Sequence, residues 1–214
     1  MTPFVDLGYE VGYTPLFSAV TDQSFELAKL LIQNGAKIHS EHREITLSQI
    51  ACQHGHLDMV KLLESPPTSN IHQHSVHERT NLFIAAFNGK FEIFKFLIDS
   101  GANVCEETKN GLPIHGVIQG WRIFKEDRYL KILQILTTPE TVNSSSFLAA
   151  HYERKTPLRL AVEKGLHQVV KFLLRNGAIP DENDLLAARN EQINELLKNE
   201  IEMRKLNHNC ILGV

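Results

Sequence analysis

Apolar residues along this chain recur at helical spacing in short blocks, and the blocks come in pairs separated by polar breaks that contain glycine. The second block of each pair is the more regular. It runs from Phe25 to Ile32, Leu57 to Leu63, Phe91 to Ile98, Leu130 to Leu136 and His167 to Leu174. Each predicts an amphipathic helix with one face turned to a core. The first block is signalled by its start: Tyr13-Thr-Pro-Leu-Phe-Ser-Ala-Val20 returns as Lys155-Thr-Pro-Leu-Arg-Leu-Ala-Val162. Weaker copies begin at Ile45, Arg79 and Gly111. The anchors Thr14, Thr46, Thr80, Leu112 and Thr156 follow one another at intervals of 32, 34, 32 and 44 residues. A period in this range means a repeat architecture, in which each unit buries its apolar side on the next.

The punctuation has a local physical reason. Threonine at the anchor accepts a hydrogen bond from an unpaired amide of the first turn, and proline after it surrenders no intrahelical bond. A short helix therefore starts there. Small residues at Ala19, Ala51, Ala85 and Ala161 let that helix approach a neighbour closely, and Gly55, Gly89 and Gly165 permit the turn into the second helix. Gly35, Gly101 and Gly177, each followed by alanine, close the second helix in the left-handed conformation.

The period, the Thr-Pro-Leu anchors, Gly55-His56, the Val-Lys-Leu-Leu-type helices and the Gly-Ala closures together resemble the ankyrin repeat family, over about Tyr9 to Leu197. The resemblance implies an all-α solenoid of helix-turn-helix-hairpin units, five repeats plus a C-terminal capping helix pair. The expected organisation is a single domain over 1–206, with units starting near 10, 42, 76, 108 and 152, a cap at 182–206 and a flexible tail at 207–214. Two departures stand out. In the fourth unit the second helix arrives late, which places an insertion at about 120–128 around Trp121, the only tryptophan, and the hairpin after it is about four residues too long. At the end, Leu185 to Glu191 echoes a first helix and Ile193 to Leu197 a second, followed by a polar run that suits a terminal cap.

Composition narrows the function. The 214 residues are 43% apolar and 22% charged, with a net charge of −3, so general attraction to nucleic acid or to an anionic membrane surface is not expected. No apolar run approaches the roughly 20 residues of a membrane span, and the start lacks signal-peptide order. Three scattered cysteines suit a reducing compartment and provide no disulfide framework. The expected location is therefore cytoplasmic, or the host cytosol for a secreted microbial effector, and richness in Asn, Lys, Ile and His leans toward a microbial or viral source. The chain is expected to be a monomer.

Candidate chemistry is sparse. There is no glycine-rich phosphate loop, no Gly-x-Ser-x-Gly elbow and no His-Glu-x-x-His helix. Cys210 with His208 sits in the tail, Cys52 falls in a small-residue slot of a first helix, and Cys105 lies in a hairpin. Seven of the eleven histidines lie between His39 and His77, and His72, His74 and His77 could approach a zinc ion. His56 and His115 coincide with positions that serve structure in the family. No enzyme activity, cofactor or metal is expected.

What the resemblance implies is binding of a protein or peptide on a concave face built from hairpin tips and first helices. The family offsets select Glu10, Val11, Tyr13, Thr21 and Asp22 in the first unit, and His42, Arg43, Ile45, Gln53 and His54 in the second. They select Val76, His77, Arg79, Phe87 and Asn88 in the third, Thr108, Lys109 and Gly111 in the fourth, and Tyr152, Glu153, Lys155, Glu163 and Lys164 in the fifth. Trp121 and Arg122 join from the insertion. From Trp121 to Arg175 ten basic residues face five acidic ones, while the rest of the chain carries a net −8. A partner with an acidic segment is therefore expected, meeting the insertion and Lys155, with its apolar anchor on Phe87 and Tyr152. Two alternatives stay open: the recognition domain of a larger enzyme or ubiquitin-ligase-type complex, and a zinc module built on the histidine cluster.

Overall fold

The computed structural model describes residues 13–38, 45–64, 80–122, 126–148 and 153–212. Four units follow the expected plan of two antiparallel helices. They are α1 (Pro15–Thr21) with α2 (Phe25–Gln33), α3 (Leu47–His54) with α4 (Leu57–Leu63), α5 (Asn81–Phe87) with α6 (Phe91–Asp99), and α7 (Pro113–Gly120) with α8 (Glu126–Leu136). After α8 come the single turn α9 (Pro139–Val142) and an antiparallel ribbon, β1 (Ser146–Leu148) with β2 (Glu153–Lys155), in which Ser146 faces Lys155. The fifth unit is α10 (Pro157–Glu163) with α11 (His167–Arg175), and the chain closes with α12 (Glu182–Ala187) and α13 (Glu191–Leu212).

Anchors begin helices as the side-chain chemistry requires. Thr14, Thr46, Thr80 and Thr156 each accept, through Oγ1, the amide three residues on, at 3.0 to 3.2 Å. Replacing the buried Thr80 with alanine is expected to lower the unfolding free energy by about 1 kcal/mol, read as a shift of the urea midpoint at unchanged slope. An unmoved midpoint would deny the cap any contribution. Leu112 has no hydroxyl to offer, and the fourth unit uses a different device. Here the Leu112 amide donates to Nδ1 of His115 at 3.3 Å. Nδ1 is then the acceptor, so Nε2 carries the proton and donates to the Lys155 carbonyl at 2.9 Å. One imidazole closes its own helix and ties the fourth unit to the fifth.

First helices stack in one row, α1 on α3, α3 on α5, α5 on α7, α7 on α10 and α10 on α12. Second helices form another, α2 on α4, α4 on α6 and α6 on α8, with α11 on α13 at the end. The core lies between the rows and includes Leu16, Ile50, Met59, Phe83, Phe94, Ile114, Tyr129, Leu133, Leu158, Val170 and Leu197. Fully burying one such aliphatic side chain is worth about 1.5–3 kcal/mol, so units that cannot cover themselves stabilise one another.

The departures resolve physically. The insertion lengthens the turn between α7 and α8 and adds a turn to the start of α8, which begins at Glu126 and not near Leu130. Trp121 leaves α7 half-buried and packs on Tyr129 with ring centroids 5.4 Å apart. The extra hairpin length forms α9 and the ribbon. Asn143, at the end of α9, accepts from the Ile179 amide at 2.8 Å and donates to the Gly177 carbonyl at 3.1 Å, which docks this segment on the fifth unit. In the cap, α12 starts at Glu182 because Asp181 takes the N-terminal position: its Oδ1 accepts from the Asp184 amide at 2.8 Å, and the Asp184 carboxylate accepts from the Asp181 amide at 3.0 Å. Helix α13 runs on to Leu212.

Candidate protein-binding surface

The edge of the stack where first helices turn into second helices carries several of the residues selected from sequence, and side chains from neighbouring units lace it together. Gln23, the turn residue of the first unit, reaches into the second: its Nε2 donates to Nδ1 of His54 at 2.8 Å, and its Oε1 accepts from Nε2 of His56 at 2.5 Å. Lys90 of the third unit donates to the His54 carbonyl at 2.9 Å, and Lys164 of the fifth donates to the Gln119 carbonyl at 3.3 Å. Gln23 has φ of +62° where the third and fifth units place Gly89 and Gly165, so this side-chain bridge offsets a backbone conformation that glycine adopts more readily. No glycine pattern announced it.

Asp22, Gln53, His54, Lys109, Arg122 and Lys164 are exposed. So are Tyr13, at 41%, and Ile45, at 37%, the two apolar side chains of the set that solvent reaches most. Tyr13 is held edge-on to Phe17 with centroids 5.2 Å apart, which orders a large side chain before any partner arrives. Phe87 and Asn88 are half-buried; the Phe87 ring stacks on Phe83 at 6.4 Å, and Asn88 donates to the Ile84 carbonyl at 2.9 Å. His42, Arg43, His77, Arg79 and Tyr152 lie outside the described residues, as do Glu10, Val11 and Val76 and the whole His72, His74, His77 zinc candidate. Among the described residues no cluster of three or more His, Cys, Asp or Glu is placed to hold a metal ion.

Lys155 requires a correction. The sequence reading offers it to an acidic partner, but it is only 5% exposed, and its Nζ meets Glu163 Oε2 at 2.5 Å. The last residue of β2 turns its side chain inward against α10, and an ammonium taken out of water needs a counter-charge from the protein itself. Arg159 takes the other oxygen of the same carboxylate, Nε to Oε1 at 2.9 Å. Burial pushes the Glu163 carboxyl upward, but the bonds and charges of Lys155 and Arg159 outweigh it and hold the group below its ordinary range. Trp121 is likewise engaged with the core, leaving Arg122 as the exposed contribution of the insertion.

Of the two described cysteines, Cys105 is exposed in the hairpin after α6 and Cys52 is not. Cys52 is fully buried, and desolvation, aided by the charge of Glu64, drives its thiol far above the ordinary range, so it packs as a small apolar residue.

Comparison with known proteins agrees with this geometry. Ankyrin repeat models match residues 11–40, a three-copy ankyrin model matches 38–108, and a further ankyrin repeat model matches 153–185. The chain belongs to the ankyrin repeat family. The matches leave out residues 109–152, which hold both helices of the fourth unit, α9 and β1, and so include the stretch in which the structure departs from the common plan. The ankyrin repeat domain of Bcl-3 superposes with a TM-score of 0.71 over 91% of this chain and 86% of that one, at 22% identity, which is a likeness of fold. The human transient receptor potential cation channel subfamily A member 1 is 27% identical over 180 residues, 79% of this chain and 15% of the channel. The mouse ankyrin repeat and SAM domain-containing protein 6 is 30% identical over 109 residues, 51% of this chain and 11% of that protein. The chain thus spans less than a fifth of either relative. Ankyrin repeats are protein-protein interaction modules, and among the described residues no helix is long and apolar enough to cross a membrane.

Proposed function

We propose that this ankyrin chain is a non-catalytic adaptor that holds a protein or peptide on the side formed by its hairpin tips and first helices. One observation supports this above the others: Tyr13, Asp22, Ile45, Gln53, Lys109 and Lys164 stand exposed at repeating positions, with Arg122 exposed beside them in the insertion. An exposed tyrosine already fixed by a ring contact contributes area at small entropic cost, which suits it as an anchor. Captured partners are expected to lose affinity about tenfold on Tyr13→Ala combined with Gln53→Ala, at unchanged helical circular dichroism. Unchanged affinity would move the interface off this face.

A second reading has its own support. In both curated relatives the matching stretch is a small part of a much longer protein, which supports a recognition arm within a larger protein; a larger enzyme or ubiquitin-ligase-type complex is the form of that reading offered from the sequence. Immunoblotting the native protein separates the two readings: a band near 24.3 kDa favours the free adaptor, a much larger one the recognition arm.

A further inference from the structure

A groove of roughly 580 Å³ opens between α10 and α12, where the fifth unit meets the cap, and its lining includes Lys155, Arg159, Glu163, Lys164, Leu186 and Arg189. Two of its four basic groups are already engaged. Lys155 and Arg159 share the two oxygens of Glu163, and Asp184 stands 4.0 Å behind Arg159. Lys164 donates only to a neutral carbonyl among the described residues, and Arg189 forms no ion pair there. Both are exposed, and they leave the groove with positive charge in excess. Beside them Leu186 is 84% exposed, the highest value among the large apolar side chains of the described residues, although its helix neighbours the buried floor residue Leu160.

We propose that this groove is the seat for an acidic peptide segment of a partner protein, its carboxylates meeting Lys164 and Arg189 and an apolar side chain lying on Leu186. The inference rests on the adaptor reading and gives it a place and a partner chemistry. Charge complementarity carries it: the groove lining holds four cations against one carboxylate in a protein whose net charge is −3, so an acidic ligand is drawn to this end and repelled by most of the remaining surface. The bare leucine distinguishes a peptide from a nucleic acid or a simple anion, because it contributes only when apolar surface is covered with it. The groove also explains why Lys155 is withdrawn. Its bond to Glu163 neutralises the one carboxylate in the groove wall, which would otherwise repel the ligand.

The test is selection of a random dodecapeptide display library on the intact protein, followed by fluorescence anisotropy with the enriched peptides. Enriched sequences are expected to carry net negative charge with at least one large apolar residue. Their affinity is expected to fall about tenfold or more with Lys164→Glu plus Arg189→Glu, to fall with Leu186→Asp, and to weaken steeply between about 0.05 and 0.5 M salt. Lys29→Glu and Lys95→Glu, which alter exposed lysines of α2 and α6, are expected to leave it unchanged. Neutral or basic winners, or acidic winners indifferent to Lys164, Arg189 and Leu186, overturn the groove. Peptides that depend instead on Tyr13 and Gln53 would overturn the groove and leave the adaptor reading standing, whereas dependence on neither set removes both.

Discussion

Gly120→Ala is expected to lose about 3 kcal/mol or more of unfolding free energy, the effect of a single methyl group. A Cβ at this position would lie 1.7 Å from the Phe87 carbonyl oxygen and 2.6 Å from its carbon. These are backbone atoms of α5, so no side-chain rotation relieves the overlap, and α7 must move away from α5. The same spot is sealed by Tyr129, whose hydroxyl approaches the Gly120 carbonyl at 2.6 Å and the Phe87 carbonyl at 3.1 Å while its ring is buried. Separating the helices therefore breaks a buried hydrogen bond as well as close packing. Urea denaturation with the companion Gly116→Ala provides the comparison. There the added carbon meets only the Phe83 ring at 3.1 Å, a side chain that can shift, so the loss is expected to be smaller. Equal losses would mean that the backbone approach at Gly120 has no special weight.

The second large effect concerns acid. Burial lowers the pKa of His115 from an ordinary 6.5 to about 4, against the Lys155 carbonyl and Glu107, which both favour the charged form. The sign follows from which state binds the proton more readily. Between pH 6.5 and pH 4 the unfolded chain protonates this imidazole and the folded chain does not, so stability contributed at neutral pH drains away as pH falls through that window. Protonation would also oblige Nδ1 to give up the Leu112 amide. Comparing unfolding free energies at pH 7.5 and pH 4.5, the wild-type chain is expected to lose about 2–3 kcal/mol more than His115→Asn, which lacks the titrating group. The carboxylates titrate in both proteins and cancel. Parallel pH profiles for the two would show that the imidazole is not held neutral.

Residues whose roles depend on a few neighbours in the chain were readable in advance. The anchoring threonines cap the helices expected of them. Gly35, Gly101 and Gly177 have φ between +87° and +95°, and the alanine after each donates back into the helix just ended. Such bonds close within one turn, so a window of ten residues holds the whole argument. Lys155 failed the same treatment. Its family offset marks it as exposed, but a carboxylate eight residues further on turns it inward. Gln23, in the left-handed region without being glycine, and Gly120, which reads as an ordinary helix terminus, failed for a different reason. What constrains each is more than thirty residues away, on the next or the preceding unit.

The order of helices, the breaks between them, the repeat and the excess of basic charge over one stretch are properties of neighbouring residues, and the amino-acid sequence alone determined them. Which cations face solvent and which are spent on Glu163, how closely α7 approaches α5, and the groove that leaves Leu186, Lys164 and Arg189 side by side were decided by the tertiary structure. Periodicity places a side chain on one face of its own helix. Only the packing of that helix against another decides whether the face is covered, and by which charge.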